Sequence, residues 1–507
     1  MAGGVGGVGG DGIRWPSAQA LPVFAAPQSL DLVDLSGASA DEQLLLTTLQ
    51  GVVNGTRPRI YLLQAGDGEA TAWLDELDVP YHALSDPLDA LTRYRSEVRG
   101  AIVYDPSIPA TVNVATTLAG LMRGVAASAD LAARTGLPLL ADLRGRFAND
   151  LAAYTWAVDT LWPRASHRML VGLGPGVSGY LRDYAVANGA MVVNLDPADD
   201  GERALLTRLL ADLPTASPFL GVWPSGAGGE DDLVELAAQN GVYVLAADWC
   251  TNLTVFAGAD APISTHQPAP PVPSLENKVY VTLTMTDGDN LQYAQHRMRQ
   301  AWDDPARGSA PLNWTIQPLL VDAAPLFLSH YQASASVNDY LIAGPSGAGY
   351  TYPSDWPVDA LGEFTELTAR YTARAALPAQ AILNRRNQVD IALDPATATR
   401  YTRDVRPLGL MMSWTDHTAT TVLSGDTPLS VSMLVSGVAE ATTAITRAAG
   451  KWNGTGPLFV SIGLYAWSMG PADAAAITRS LGTDYRVVRG DHYFALARQA
   501  YGLPPRP

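Results

Sequence analysis

Only one cysteine, Cys250, occurs in the 507 residues, so no disulfide can form within the chain. A chain this long has core enough to do without such staples, so this leaves export open. Histidine is scarce as well. The seven residues, His82, His167, His266, His296, His330, His417 and His492, show neither H-x-x-x-H nor HExxH spacing, which disfavours metal hydrolysis by a histidine pair. No G-x-S-x-G elbow is present, so a serine hydrolase would lack its usual nucleophile setting. No uninterrupted apolar run of about 18 residues occurs, which argues against a membrane-spanning helix. Positive charge is also in deficit: 33 basic side chains stand against 50 acidic ones, giving a net charge of −17 and a pI near 4.7. Such a field repels phosphate backbones and anionic lipid, so nucleic acid and membrane surfaces are poor partners and a neutral substrate fits best. The start, "MAGGVGGVGGDG", has no basic or apolar region of a signal peptide and reads as a flexible tail over 1–27.

What is present is a long globular composition, 47% hydrophobic and 16% charged, with material for more than one core. From residue 28 short apolar runs alternate with amphipathic stretches. "DEQLLLTTLQGVVNG" has helical spacing and stops at Asn54-Gly55, and "RIYLLQ", "GAIVYDPS", "HRMLVGLG" and "AMVVNLDP" read as strands. Interleaved strands and helices predict crossover units on parallel sheet, so 28–215 reads as an α/β accessory domain. A second series, "FLGVWP", "VYVLAAD", "KVYVTLTMTD", "WTIQPLLVD", "DYLIAGP", "LGLMMSW", "LFVSIGLYAW" and "DYRVVRG", predicts a (β/α)7-8 barrel over 216–507. The prolines of "THQPAPPVPS" (265–274) favour an extended surface crossing or a linker.

The predicted strands end in acids and rings, and a parallel barrel opens all its strand carboxyl ends onto one face. In "TDGDN" an extended backbone would set Asp287 and Asp289 on one side, about 6.6 Å apart. Carboxylates that close raise one another's pKa, so one stays protonated while its partner is ionised. The alternatives are a solvated Asp-Gly turn and a site for a hard cation. "MMSWTDH" offers Trp414, Asp416 and His417, with Asp416 either a third carboxylate or the N-cap of a following helix. Asp248 and Trp249 end "VLAADW", Trp467 ends "GLYAW", and Asn290 follows the aspartate pair. In "AGPSGAGYTYPSDWP" the prolines stiffen a loop whose glycines permit close approach, so Tyr350, Tyr352 and Trp356 read as rigid faces for sugar rings or as the loop's own small core. Cys250 as a nucleophile is the minority reading beside a buried free thiol.

"GAGYTYP" (347–353) matches the motif that names the GxGYxYP glycoside hydrolase family, and "TMTDGDNLQ" and "YRVVRGDHYFALAR" resemble its carboxy-terminal domain. "LQGVVNGTRPRIYL" (49–62) resembles its amino-terminal domain. The resemblance implies an oligo- or polysaccharide substrate and a secreted or cell-surface setting. Joined to the residues, it suggests acid/base cleavage of a glycosidic bond without a cofactor, by Asp287 and Asp289 with Asp416 as the alternative partner. Asp248, Trp249, Asn290, Tyr350, Tyr352, Trp356, Trp414, His417 and Trp467 are the expected sugar contacts. A metal-dependent carbohydrate esterase using the aspartate pair with His296 or His330, and a non-catalytic carbohydrate-binding protein, are the alternatives.

Overall fold

The computed structural model describes residues 12–221, 229–450 and 452–506. Most of the glycine tail, the end of "FLGVWP" and the glycine-rich loop after it lie outside the described residues. The chain divides into two compact units that interleave, whereas the sequence suggests one boundary near 215. The first takes the chain to Leu233 with Ala247–Pro262 and Asp322–Leu326; the second takes Val234–Ala246, Ile263–Val321 and the chain from Phe327 on.

The first unit holds three small parallel sheets, each with its earliest strand in the middle. Leu30–Asp34 is flanked by Ile60–Leu63 and Tyr81–Ala83, Ala101–Val103 by Val125–Ala127 and Leu139–Asp142, and Ser166–Gly172 by Ala190–Val193 and Ser217–Gly221. The strand in "FLGVWP" therefore belongs to this unit and not to the barrel. Helix Ala40–Asn54 opens with a capping box between Ser39 and Glu42. Its polar residues act as clamps: Gln50 Nε2 donates to Ile60 O (3.1 Å) and Asn252 Oδ1 (2.7 Å), and Asn54 Nδ2 donates to Ile60 O (2.9 Å). The "LQGVVNG" pattern is thus read in packing, because a helix can press on a strand only if its buried amides are all bonded.

The second unit is built on seven parallel strands: β1 Val279–Met285, β2 Leu312–Ile316, β3 Asp339–Ala343, β4 Gln380–Ile382, β5 Leu410–Trp414, β6 Thr427–Val435 and β7 Leu458–Leu464. Each pairs with the next in chain order, and β1 pairs with both β7 and β2, which closes the barrel. The expected strands β1, β2, β3, β5 and β7 are present; β4, three residues long, and β6 carried too little pattern to be read. "DYRVVRG" supplies a short strand, Tyr485–Val487, which pairs only with the first half of β1. Two further expectations are corrected. Val242–Leu245 is not a barrel stave, and Asp322 sits in a helix, Leu320–Ala323, instead of ending a strand.

Helix α3, Gly490–Ala500, closes the amino-terminal end of the barrel. Tyr493, Phe494, Leu496 and Ala497 pack in one cluster with Tyr280, Tyr340, Ile342, Met411 and Phe459. The signature "RGDHY" serves this join. Gly490 N donates to Asn313 Oδ1 (2.6 Å), and the buried Arg489 reaches Val337 O (2.8 Å) and Pro268 O (2.7 Å). With that end plugged, the open face is the one at the strands' carboxyl ends.

Candidate active site

Strand β1 stops at Met285, and Asp287 takes a left-handed conformation (φ 70°). The two aspartates therefore do not continue the strand's alternation, which corrects the extended geometry expected from sequence. An aspartate tolerates this region better than most residues, and the turn closes with Asn290 N donating to Asp287 O (3.3 Å). Gly288 is needed for another reason: a Cβ there would collide with the peptide joining Thr315 and Ile316 at the end of β2. Asn290 caps helix α1, Leu291–Gln295, its side chain accepting from Tyr293 N at 2.6 Å. Its oxygen therefore serves the helix as a cap.

The half-buried Asp287 carboxyl is held from two sides. Trp467 Nε1 donates to Oδ1 at 2.8 Å from the end of β7, and the Thr286 hydroxyl donates to Oδ2. Burial pushes its pKa above the ordinary carboxylate range, while these two donors and the Ala466 backbone pull it down. Tyr293 lies edge-on to Trp467 at 6.1 Å, fully buried, its Oη without a hydrogen-bond partner among the described residues. Burial first, and the Asp287 charge second, push that phenol upward. Arg297 secures the β7 end by donating to Ala466 O (2.8 Å) and Met469 O (3.0 Å). Trp467 keeps 45% of its surface exposed and Tyr465 38%, so rings beside the acid face the open end of the barrel.

The chain just ahead of the GxGYxYP segment meets the aspartate turn through backbone. A Cβ on Gly344 would overlap Gly288 O, and Gly344 N donates to Ile316 O at 2.9 Å. Gly347 (φ 125°) lies against Thr368, and Gly349 against the Tyr243 ring. Val244 and Tyr350 exchange both backbone hydrogen bonds at 2.8 Å, an isolated antiparallel bridge. The expected sugar platforms are therefore corrected: Tyr350 is 1% exposed, Tyr352 0% and Trp356 4%. Their polar tips are turned inward, with the two tyrosine hydroxyls 3.2 Å apart and Trp356 Nε1 donating to Thr351 Oγ1 at 2.6 Å. The rings form the loop's own core, and the glycines let backbone close over them.

Asp289 is half-buried two residues beyond Asp287, and its carbonyl accepts from Gln317 Nε2 (3.1 Å). Asp416 and His417 are exposed after β5, three strands around the barrel from β1, with Asp416 Oδ1 2.7 Å from His417 Nδ1. Trp414 meets the His417 ring at 5.3 Å. A strand, Ala419–Leu423, follows, so Asp416 is not a helix cap. Asp248 and Trp249 belong to the first unit, where Asp248 is buried and Trp249 is half exposed against Tyr180 (5.0 Å). Cys250 beside them is fully buried, and burial holds its thiol well above the usual range, the state of an inert core cysteine. Sequence reasoning missed Thr286, Tyr293 and Arg297. A hydroxyl just before the aspartate pair was the only signal available.

Four family models match the chain. The GxGYxYP putative glycoside hydrolase C-terminal domain covers residues 277–498, and the first, second and third GxGYxYP_N domains cover 29–96, 98–165 and 167–258. The crystal structure of a putative hydrolase from Bacteroides thetaiotaomicron VPI-5482 superposes with a TM-score of 0.85 over 98% of this chain and 100% of its own, at 22% identity, a likeness of fold. The glycosyltransferase SnogD from Streptomyces nogalater aligns at 13% identity over 74% of this chain and 84% of its own, with a TM-score of 0.14 that carries no fold likeness. No curated protein matches. The chain belongs to the GxGYxYP putative glycoside hydrolase family.

Proposed function

We propose that the chain cleaves a glycosidic bond at the carboxyl end of the barrel, with Asp287 as the proton donor. The observation that carries this reading is the setting of that one carboxyl. Burial raises its pKa from the ordinary carboxylate value, yet it is bonded to a tryptophan that remains half exposed. Protonation of the leaving oxygen needs an acid that keeps its proton better than an ordinary carboxyl, and burial moves Asp287 in that direction. The second carboxyl, as base or nucleophile, is Asp289, with Asp416 across the barrel mouth as the alternative. Trp467, Trp414 and His417 contact the sugar, whose apolar C–H faces suit exposed rings. Tyr350, Tyr352 and Trp356 form the core of the loop that follows Gly344, the residue packed on the turn that carries the acids. This chemistry needs no cofactor, and export to the cell surface belongs to the same proposal.

The test is reducing-end release from a panel of oligo- and polysaccharides by the parent chain and by Asp287→Asn. The reading predicts at least one cleaved substrate and a loss of about 10²–10⁴-fold in the variant. Binding without cleavage throughout the panel would support a carbohydrate-binding role, and a stoichiometric divalent ion required for activity would support the esterase alternative.

A further inference from the structure

The proline-rich segment "THQPAPPVPS" takes no part in the site above; it walls a cavity at the opposite end of the barrel. The cavity measures about 590 Å³, within the range of small-molecule sites, and its walls include Pro268, Ala269, Ala369, Ala373, Pro378 and Leu408. Ala369 and Ala373 come from helix α2, Leu361–Arg374, while Pro378 and Leu408 stand just ahead of β4 and β5. Gln267 fixes the segment in place. Its Nε2 donates to Leu341 O and Ala376 O, both at 2.8 Å, and its Oε1 accepts from Leu341 N at 2.7 Å. The wall is therefore tied to β3 by a side chain that imitates a neighbouring strand.

Three features define what would fill it. Tyr340 and Gln380 line the cavity, and Tyr340 Oη and Gln380 Oε1 are buried with no hydrogen-bond partner among the described residues. Buried polar atoms are almost always satisfied, so a polar group is called for there. Positive charge is in local excess on a chain of net charge −17. Asp491, the one acid in the lining, is held by Arg489 at 2.8 Å, and Arg506 shares Asp426 with Arg498. Arg406, also in the lining, is exposed and makes no ion pair among the described residues. Finally, the Tyr340 ring is 3% exposed and one of its faces lies under the Arg489 guanidinium at 5.2 Å, so it offers little surface for stacking. Aliphatic walls, one free guanidinium and an unmet donor and acceptor do not suit a bare sugar or a nucleotide.

We propose that this cavity binds a hydroxylated aliphatic monocarboxylate, with the carboxylate on Arg406, the chain along the alanine and proline walls, and the hydroxyl toward Tyr340 and Gln380. A guanidinium grips a carboxylate through two parallel hydrogen bonds, a match that an ammonium or an alcohol cannot make. The proposal is independent of the glycosidase reading.

Calorimetric titration of the whole chain with 3-hydroxyoctanoate, octanoate and octylamine tests it. One saturable site is expected, tightest for 3-hydroxyoctanoate, several-fold weaker for octanoate and at least tenfold weaker for octylamine. Arg406→Gln, an exposed position, should keep the parent Tm and lose at least tenfold in 3-hydroxyoctanoate affinity. Ala369→Phe, which fills the cavity from α2, should abolish binding. No saturable heat, equal affinity for octylamine, or undiminished affinity in either variant overturns the proposal.

Discussion

At the scale of single residues, Asp287 carries two linked expectations. Because burial raises its folded-state pKa above the unfolded value, its contribution to stability is present below the ordinary carboxylate range and is lost as pH rises through the raised value. Asp287→Asn, neutral throughout, should therefore gain Tm relative to the parent at pH 7 while showing no such gain near pH 3. Activity has the same sign: a proton donor works while protonated, so the rate should fall as pH climbs through that raised value. Trp467→Phe keeps a ring but removes the donor to Oδ1, which favours the ionised form. A hydrogen bond to a charged group is worth about 1.5–3 kcal/mol, so the basic limb of the pH–rate profile should move upward by roughly one to two units. A profile unchanged in Trp467→Phe would detach the indole from the acid. The aspartate pair was legible in sequence as a candidate. The tryptophan that grips Asp287 lies 180 positions away, and nothing local announced the pairing.

Among elements, the GxGYxYP loop shows where pattern reading stops. Its prolines and glycines announced a stiff, irregular segment, and that is what the chain folds. Whether its rings face solvent or interior depended on Tyr243 and Thr368, which press against Gly349 and Gly347 from distant parts of the sequence. The same holds for β4 and β6: a strand of three residues, and one rich in serine and threonine, have too little apolar periodicity to be read alone. Gly349→Ala would drive a methyl into the Tyr243 ring, and overpacking of this kind costs about 1–3 kcal/mol. A Tm lowered by several degrees, together with a loss of activity larger than that of exposed-loop variants, is the expected result. If Gly349→Ala unfolds and turns over like the parent, the loop does not support the site.

For the molecule as a whole, the sequence conveyed an α/β chain with a barrel, because each parallel strand needs a helical return and the alternation repeats many times. It did not convey that α3 plugs the amino-terminal end, since that helix is amphipathic in the ordinary way and its target is a cavity made by other strands. Tyr493, Phe494 and Leu496 are each buried there, worth about 5–9 kcal/mol together, a sum comparable to the whole stability of a domain. Ending the chain before Gly490 should leave the protein insoluble or without a cooperative melt, as read by calorimetry. A truncated chain melting near the parent Tm would show that the barrel stands without its plug.

The central claim is that Asp287 delivers the proton to a leaving sugar. The most direct measurement compares Asp287→Asn with the parent on a natural glycoside and on its 2,4-dinitrophenyl counterpart, whose leaving group needs no proton. Loss of about 10²–10⁴-fold on the natural bond with near-parent rates on the aryl glycoside is the predicted result. Full activity of Asp287→Asn on the natural bond would contradict it.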